Sequence, residues 1–582
     1  MINCPETTFL YRLSRFTFLL LVLSLAACDQ PVAEVEPGLN PDANLEAGPT
    51  TLVFNGLIHT FDAAGTVLEN GAMALSADGE ILALGPDESI MAAYPEAVRH
   101  DLQGGAVLPG LIDAHAHFIG LARSLTQADL VGTTSVDAVL DRLKAFESGL
   151  GEGDWLTGRG WDQNDWPDPS FPDKTDLDQA FPDRPVWLER IDGHAGWGNS
   201  AAMAAVDRDL SGDWQPKGGK IHRDEKGAAT GIFIDGATAM LDSLVPPLSD
   251  ERLQSAIDEA TEILLSLGLT GVHDAGLSWD YIQLLRERAD RGQLGVRVYA
   301  MTDGVGEALE QLCANGYLQH PSGRLVARSM KLYADGALGS RGAALLEDYS
   351  DEPGSRGLLI VSDEEMLAAV NRALDCNLQV GIHAIGDGGN RQVLDALAAG
   401  LPAFPDNPGR HRIEHSQVIS LDDIQRFADL HIIASVQPIH ATSDMYWAED
   451  RVGPYRIQGA YAWRRLLDAG VRLALGSDFP VEQVNPMLGI FAAVTRQDLQ
   501  GNPPGGWYPE QVLGREEAIR GFTLDAAWAA FMEKEVGSLE AGKRADFIVL
   551  DRDLISVPAD EIPQTRVLET WLDGQLAWKA IQ

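Results

Sequence analysis

This sequence predicts an α/β fold: a (β/α)8 TIM-like barrel, a small β-sandwich domain built from both chain ends, and an insertion in the barrel. Short apolar runs that end in polar residues alternate with helix-like stretches such as residues 364–374 and 422–430. About eight such strand-then-helix units favour a closed barrel of parallel strands. The central region, residues 108–524, exceeds the ~250 residues that such a barrel usually needs, so an insertion is required.

The beginning of the chain resembles a bacterial lipoprotein signal. Arg12 and Arg15 precede an apolar run, residues 16–25, that is too short to span a bilayer as a mature helix. The following Leu-Ala-Ala-Cys resembles a lipobox, which implies cleavage before Cys28, lipidation of its thiol and anchoring to a membrane. An ordinary secretory signal with an incidental cysteine is the alternative. We therefore expect a location in the cell envelope, facing the periplasm, with inner or outer membrane left open.

Both ends of the remaining chain contain short strand-like runs separated by turn residues, for example residues 51–54, 72–75 and 81–84 near the start. A comparable pattern over residues 537–575 suggests that the two ends form one module. The predicted organisation is a signal peptide (1–27), a lipidated flexible tether (28–49), the first β-sandwich segment (50–107), the barrel (108–524) with its insertion at about 121–272, and the second β-sandwich segment (525–582).

Composition limits the partners of this chain. A formal net charge of -42, from 86 acidic and 44 basic residues, argues against a nucleic-acid partner, because phosphate binding needs basic surface. Of the four cysteines, Cys4 and Cys28 belong to the signal and the lipid site. Cys313 and Cys376 are far apart and make no disulfide framework, so we expect them to be small buried side chains.

The first chemical motif is VLPGLIDAHAH, in which an apolar strand ends in His115 and His117. Side chains two residues apart on a strand point to the same face, so both imidazoles can reach one ion. A lone HxH motif is often incidental. Two later apolar runs end in His383 and His415, and a third ends in Asp478. Either later histidine could be a core residue, but together and in order with HxH we expect both to be metal ligands.

Lys331 lies inside another apolar strand, where an unpaired ammonium group is expensive to bury. A partner or a chemical modification is therefore expected. Pairing with Asp335 or Asp478 is one solution.

The whole pattern resembles the amidohydrolase superfamily, and within it the amidohydrolase-3 or YtcJ-like branch, whose members include N-substituted formamide deformylases. The strings that carry this resemblance span nearly all of residues 52–550 and lie at residues 158–166, 192–200, 270–276, 331–341, 383–387, 435–438 and 476–480. The resemblance implies one or two divalent metal ions, zinc being expected. It implies as ligands His115, His117, Lys331, His383, His415 and Asp478, with Lys331 carboxylated where two ions are bridged.

The implied reaction is hydrolysis of an amide or related C–N bond in a small organic substrate of the N-formyl or N-acyl amine type. Metal-activated water attacks the carbonyl carbon, and Asp478 transfers its proton to the departing nitrogen. His194, in an Asp-Gly-His string, is a candidate catalytic donor to the oxyanion or the substrate. Its alternative is a hydrogen bond with Asp192 at a turn.

Several aromatic and basic residues are candidates for substrate binding. Trp161, Trp166 and Trp197 could form an apolar wall or could pack the insertion. Arg341 and Arg496 could anchor a substrate carboxylate or could brace loops. His273 is expected to be structural, capping the third barrel strand through Asp274.

Other functions stay open at this point. A deaminase or an ester or lactone hydrolase could use the same barrel, and a non-catalytic ligand-binding lipoprotein could retain the scaffold without turnover. A protein of surface assembly is a third class, which nothing in the sequence requires. The oligomeric state is left open between a monomer and a homodimer.

Overall fold

The computed structural model describes residues 50–151 and 153–581 and shows an α/β fold around a barrel of eight parallel strands. The barrel strands, numbered 1 to 8 in chain order, are Leu111–Ala116, Leu269–Leu277, Arg297–Asp303, Leu325–Tyr333, Gln379–Ala384, Arg412–His415, Ile433–Val436 and Leu473–Leu475. Each pairs in parallel with the next. The predicted barrel is confirmed, whereas the predicted signal and tether lie outside the described residues.

Strands 1 and 8 close the barrel through a buried carboxylate. Asp113 accepts hydrogen bonds from the Ser477 backbone N–H at 3.1 Å and from its hydroxyl at 2.7 Å. Gly476 is required at this point, because a Cβ there would lie 2.5 Å from Asp113 Oδ1. The Asp478 N–H then donates to the His115 carbonyl at 2.7 Å. Closure therefore places the ends of strands 1 and 8 side by side.

The helices around the barrel follow from amphipathic sequence with polar caps. In Asp363–Asp375, the Ser362 hydroxyl accepts from the Glu365 N–H while the Glu365 carboxylate accepts from the Ser362 N–H, which satisfies two free donors of the first turn. Met366 and Val370, four residues apart, are buried on one face. The helices of the barrel are Phe118–Ser124, Asp250–Ser266, Trp279–Asp290, Glu307–Asn315, Asp363–Asp375, Asp387–Gly400, Ile424–Asp429, Pro438–Asp444, Ala448–Arg456, Trp463–Asp468, Pro486–Thr495, Arg515–Gly521 and Leu524–Ala529.

The two chain ends form one sheet, in which Ala106–Pro109 pairs antiparallel with Phe547–Leu550. Its other strands are Thr51–His59, Val67–Leu75, Ile81–Pro86, Val98–Asp101, Val567–Leu572 and Gln575–Lys579, with the helix Asp87–Ala93 beside them. All eight strands belong to one hydrogen-bonded sheet, so a sandwich of two sheets is not confirmed. The second segment of this sheet begins later than the predicted residue 525. Ala526, Ala527 and Met532 instead pack against residues of the barrel interior.

The insertion is a six-stranded sheet with its own core. Its strands are Ala128–Asp129, Leu156–Trp161, Val186–Arg190, Ala195–Gly198, Gly219–Arg223 and Ala229–Asp235, and its helices are Val136–Glu147, Lys174–Ala180, Ser200–Ala204 and Ala239–Asp242. It ends earlier than the predicted residue 272. The helix Asp250–Ser266 packs against Phe118–Ser124 and barrel strand 2 and so belongs to the barrel.

Cys313 and Cys376 form a disulfide, which corrects the expectation of two unpaired buried thiols. Their Cα atoms lie 4.9 Å apart although 63 residues separate them in sequence. Cys313 lies in the helix that follows barrel strand 3, and Cys376 ends the helix that follows strand 4. Adjacent parallel strands place their following helices side by side, which sequence spacing alone does not show.

Across the described ranges, 50–151 and 153–581, no helix combines the length and the apolar character needed to cross a bilayer.

The disulfide should contribute measurably to stability. Replacing both cysteines by serine should lower the free energy of unfolding by about 4 kcal/mol, because the bond closes a loop of 63 residues. Urea titrations with and without reductant measure this effect. Reductant should destabilise the natural protein and leave the double serine variant unchanged. Two free thiols in the natural, unreduced protein would contradict the pairing.

Candidate metal centre and active site

Five side chains predicted from strand ends converge at the carboxyl end of the barrel. His117 Nε2 lies 3.1 Å and His115 Nε2 3.4 Å from Asp478 Oδ1. The His415 ring is 4.8 Å from the His115 ring and 4.4 Å from the His383 ring, between centroids. One ligand atom from each of His115, His415 and Asp478 falls in a group no wider than 4.8 Å. The structure therefore brings these five residues together.

Two of these residues have a left-handed backbone, which is uncommon outside glycine. His415 has φ 70° and Asp478 has φ 64°. His415 is the last residue of strand 6, and Asp478 lies three residues beyond the end of strand 8. Neighbouring residues of a regular strand point to opposite faces. The reversal at His415 lets it face the centre although the preceding Glu414 also points inward. Strained backbone of this kind is concentrated at functional sites.

Burial keeps three histidines of the centre neutral. It lowers the pKa of His115 to about 4, and it lowers the pKa of both His383 and His415 well below the usual range. Burial alone would raise the pKa of Asp478, but the hydrogen bond from His117 and the nearby imidazoles lower it well below its usual range. Neutral imidazoles beside an ionised carboxylate are the donors that zinc and similar ions take.

Hydrogen bonds fix which histidine nitrogens face the centre. Glu414 Oε2 accepts from His115 Nδ1 at 2.5 Å, and Gln437 Oε1 accepts from His415 Nδ1 at 2.8 Å. Both Nε2 atoms are thereby left with a free lone pair. His383 Nε2 is buried without a hydrogen-bond partner among the described residues. This donor set fits a divalent metal ion, since a buried orphan nitrogen requires a partner.

Lys331 lies beside this group and is almost fully buried. Its Nζ is 3.3 Å from His115 Nε2, and in the part of the chain described here it forms no ion pair. Asp335, one predicted partner, instead accepts from three backbone N–H groups, those of Ala344, Ile385 and Gly386. Burial lowers the pKa of Lys331. The amine is thus buried without the counter-ion that an ammonium group needs.

The insertion reaches the mouth of the barrel through His194. The His194 ring bonds Asp235 Oδ1 through Nδ1 at 2.9 Å, while its backbone N–H donates to Asp192 at 3.0 Å. Burial alone would lower the pKa of His194, but these two carboxylates raise it. Its neighbours Asp192 and Gly193 line a cavity that also contacts His117. Both arrangements predicted for His194 are therefore compatible with its position.

A cavity of about 350 Å³ opens beside His117. Gly120 and Asp274 line it from the barrel, and Arg159 and Asp192 line it from the insertion. Arg159 holds the two parts together, donating to the Pro480 and Ile191 carbonyls. The insertion thus forms part of the wall of the cavity that opens beside His117.

Residues 100–577 match the amidohydrolase family, in the branch called amidohydrolase-3. This chain is an amidohydrolase. It is 34% identical over 528 residues to the protein named "Putative amidohydrolase YtcJ" of Bacillus subtilis, covering 88% of this chain and 98% of that protein. It is 27% identical over 552 residues to N-substituted formamide deformylase of Arthrobacter pascens, covering 91% and 98%.

A solved structure shows the same fold. The crystal structure of an uncharacterised metal-dependent hydrolase from Pyrococcus horikoshii matches with a TM-score of 0.72 and 28% identity, covering 88% of this chain and 99% of that chain. The predicted superfamily and branch are confirmed.

Three tryptophans of this amidohydrolase pack the insertion rather than wall the substrate cavity. Trp161, Trp166 and Trp197 are buried together, with ring centroids 5.9 to 6.4 Å apart. Their indole N–H groups donate to backbone carbonyls within the insertion. The prediction of a pocket wall is corrected, because this cluster is the core of the inserted sheet.

Two arginines predicted as substrate anchors are engaged elsewhere. Arg341 pairs with Asp351 at 2.8 Å near the surface. Arg496 is buried, donates to the Trp507 and Tyr461 carbonyls, and stacks on an indole ring. Both brace loops, which was the alternative interpretation of each, and neither joins the candidate site.

His273 is structural as predicted, but its partner and strand differ. It lies on barrel strand 2 rather than 3, and its Nδ1 accepts from Arg412 at 2.9 Å instead of bonding Asp274.

His440 lies next to the candidate site, although the sequence analysis did not single it out. Its Nε2 lies 3.8 Å from Asp478 Oδ2 and is buried without a partner in the described chain. It follows Gln437 at the end of strand 7, so the polar residues after that strand were the available signal.

Proposed function

We propose that this amidohydrolase is a metal-dependent hydrolase that cleaves an amide or related C–N bond in a small organic substrate, of the N-formyl or N-acyl amine type. The observation that carries the proposal is the convergence of neutral histidines and an ionised Asp478 at the barrel mouth. The deformylase relative, aligned over 98% of its length, supports the substrate class. A complete donor set favours catalysis over ligand binding alone.

One or two divalent ions, with zinc as the expected species, would be held by the six predicted ligands, which are His115, His117, Lys331, His383, His415 and Asp478. When bound, such an ion lowers the pKa of water and polarises a carbonyl group. The second ion depends on Lys331. Among the described residues this buried amine has no ion-pair partner, and its Nζ lies 3.3 Å from His115 Nε2. Such an amine is suited to carboxylation by carbon dioxide, which would release a proton and give an anionic ligand.

Asp478 handles the proton in this scheme. The carboxylate is buried, ionised and beside His115 and His117, so one of its oxygens would accept the proton of a water activated there. The same oxygen would then return the proton to the departing nitrogen. His440 Nε2 lies 3.8 Å from Asp478 Oδ2, so the His440 ring limits movement of this carboxylate on the side of strand 7.

His194 completes the site from the insertion. Its Nδ1–H is bound by Asp235, which leaves Nε2 to donate to the substrate carbonyl oxygen when the ring is protonated. The raised pKa of His194 favours that protonated form. A donor aimed at the developing oxyanion stabilises the transition state more than the ground state.

Replacing Asp478 by Asn should reduce kcat about 100- to 10,000-fold while leaving most metal bound, because the amide accepts no proton. A panel of formylated and acylated amines measures turnover, and elemental analysis should give one or two metal equivalents. Chelator should abolish activity and added zinc restore it.

The exposed Asp468→Asn variant is the matched control and should keep full activity. Activity retained by Asp478→Asn, or by metal-free protein, would refute the proposed mechanism. Turnover of amines by deamination, or of esters and lactones, in place of amides would transfer the assignment to those alternatives.

Removing His194 should lower kcat about 100- to 1,000-fold, as expected for loss of an oxyanion donor. The Asp235→Asn variant should show a smaller loss, because it only weakens the orientation and protonation of His194. Asp224→Asn, which changes a turn of the same inserted sheet, is the control and should leave kcat unchanged. An unchanged kcat in the His194→Ala variant would remove this residue from catalysis.

We further propose that the chain is lipidated at Cys28 and faces the periplasm. The Leu-Ala-Ala-Cys string supports this, and so does the disulfide, since disulfides persist in oxidising compartments. The Cys28→Ser variant should lose fatty-acid labelling and leave the membrane fraction. Cys313→Ser, which leaves the lipobox intact, should stay membrane-bound. Labelling that survives the Cys28 substitution would refute the anchor.

A further inference from the structure

A buried ion pair lies directly beneath the candidate metal centre. Arg412 and Glu414 alternate on barrel strand 6, so both side chains point into the barrel, and both are completely buried. Glu414 Oε1 accepts from Arg412 Nε at 2.5 Å, and Glu414 Oε2 accepts from Arg412 Nη2 at 2.9 Å. The same carboxylate also accepts from His115 Nδ1, which lies 2.5 Å from Oε2.

Arg412 is itself fixed by strands from three other parts of the barrel. It donates to the Ser435 hydroxyl at 2.7 Å, to His273 Nδ1 at 2.9 Å and to the Ala114 carbonyl. These groups belong to strands 7, 2 and 1. The guanidinium therefore has little freedom, and it orients the Glu414 carboxylate towards His115.

The geometry also fixes the tautomer of His115. An ionised carboxylate can only accept a hydrogen bond, so Nδ1 of His115 must carry the hydrogen. The lone pair is then on Nε2, the nitrogen that faces Asp478 and Lys331 at 3.4 and 3.3 Å. For His415, the group that accepts from Nδ1 is the neutral side-chain amide of Gln437. Of these two histidines, His115 is the one with a charged acceptor, and an anionic partner makes an imidazole a stronger metal donor.

We propose that Glu414 is a positioning residue for the metal centre: it fixes Nε2 of His115 as the ligand atom and strengthens its donation, while Arg412 supplies the counter-charge that permits a buried anion. A purely structural ion pair would be complete without the contact to His115. This inference rests on the proposed metal site, and it concerns metal affinity rather than turnover.

The test compares variants by their affinity for cobalt, measured by competition with a chelator, and by the visible spectrum of the bound ion. Glu414→Gln alone leaves Arg412 buried without a counter-ion, which destabilises proteins strongly. The Arg412→Met/Glu414→Gln variant removes both charges, and the amide introduced at position 414 still accepts from His115. We expect the Kd of this double variant for cobalt to rise roughly 10- to 100-fold, with a shifted spectrum.

Two further variants keep the test decisive. Glu414→Asp retains the counter-ion of Arg412 but draws the carboxylate away from His115, so its Kd should also rise. Arg410→Met/Glu533→Gln removes the Arg–Glu pair that joins residues 410 and 533, and should leave the Kd unchanged.

A natural Kd and spectrum in the folded Glu414 variants would overturn the positioning role while leaving the proposed function intact. Natural protein that binds no divalent ion would overturn the proposed function itself, and this inference with it.

Discussion

The contact between barrel strands 1 and 8 is the constraint on which the site depends. More than 350 residues separate His115 from Asp478, yet a single backbone hydrogen bond of 2.7 Å joins them. Asp113 supports this contact by accepting three hydrogen bonds from Ser477 and one from the His115 N–H. Burial raises the pKa of Asp113 to about 7, so these hydrogen bonds only partly offset the cost of removing the carboxylate from water. The contacts that close the barrel therefore also place the candidate ligands of strands 1 and 8 side by side.

The sequence predicted the residues whose positions follow from strand alternation and strand ends. His115 and His117 share a face because they are two apart, and His383, His415 and Asp478 each end an apolar run. It could not predict Glu414, because an acidic residue next to His415 on a regular strand would point away from the centre. The left-handed backbone at His415 reverses that expectation.

Residues outside the strands were less predictable for a related reason. The disulfide between Cys313 and Cys376 depends on which helices pack side by side. The structural role of Arg496 depends on loop carbonyl groups that accept hydrogen bonds from its guanidinium. The three tryptophans of the insertion were ambiguous because a buried aromatic cluster and a pocket wall have the same composition. Only the packing of the inserted sheet separates them.

The charge of Lys331 affects how many metal ions the proposed centre can hold. Glu414 is balanced by Arg412, so the uncompensated anion of the centre is Asp478. With Lys331 as a neutral amine, one negative charge and the neutral imidazoles match a single dication. The carboxylation proposed for Lys331 would add a second anion and two oxygen donors, which would suit two ions. Because like charges repel strongly at these distances in a buried site, a second dication needs that added charge. In the proposed centre, the modification state of Lys331 would therefore decide whether one or two ions are bound.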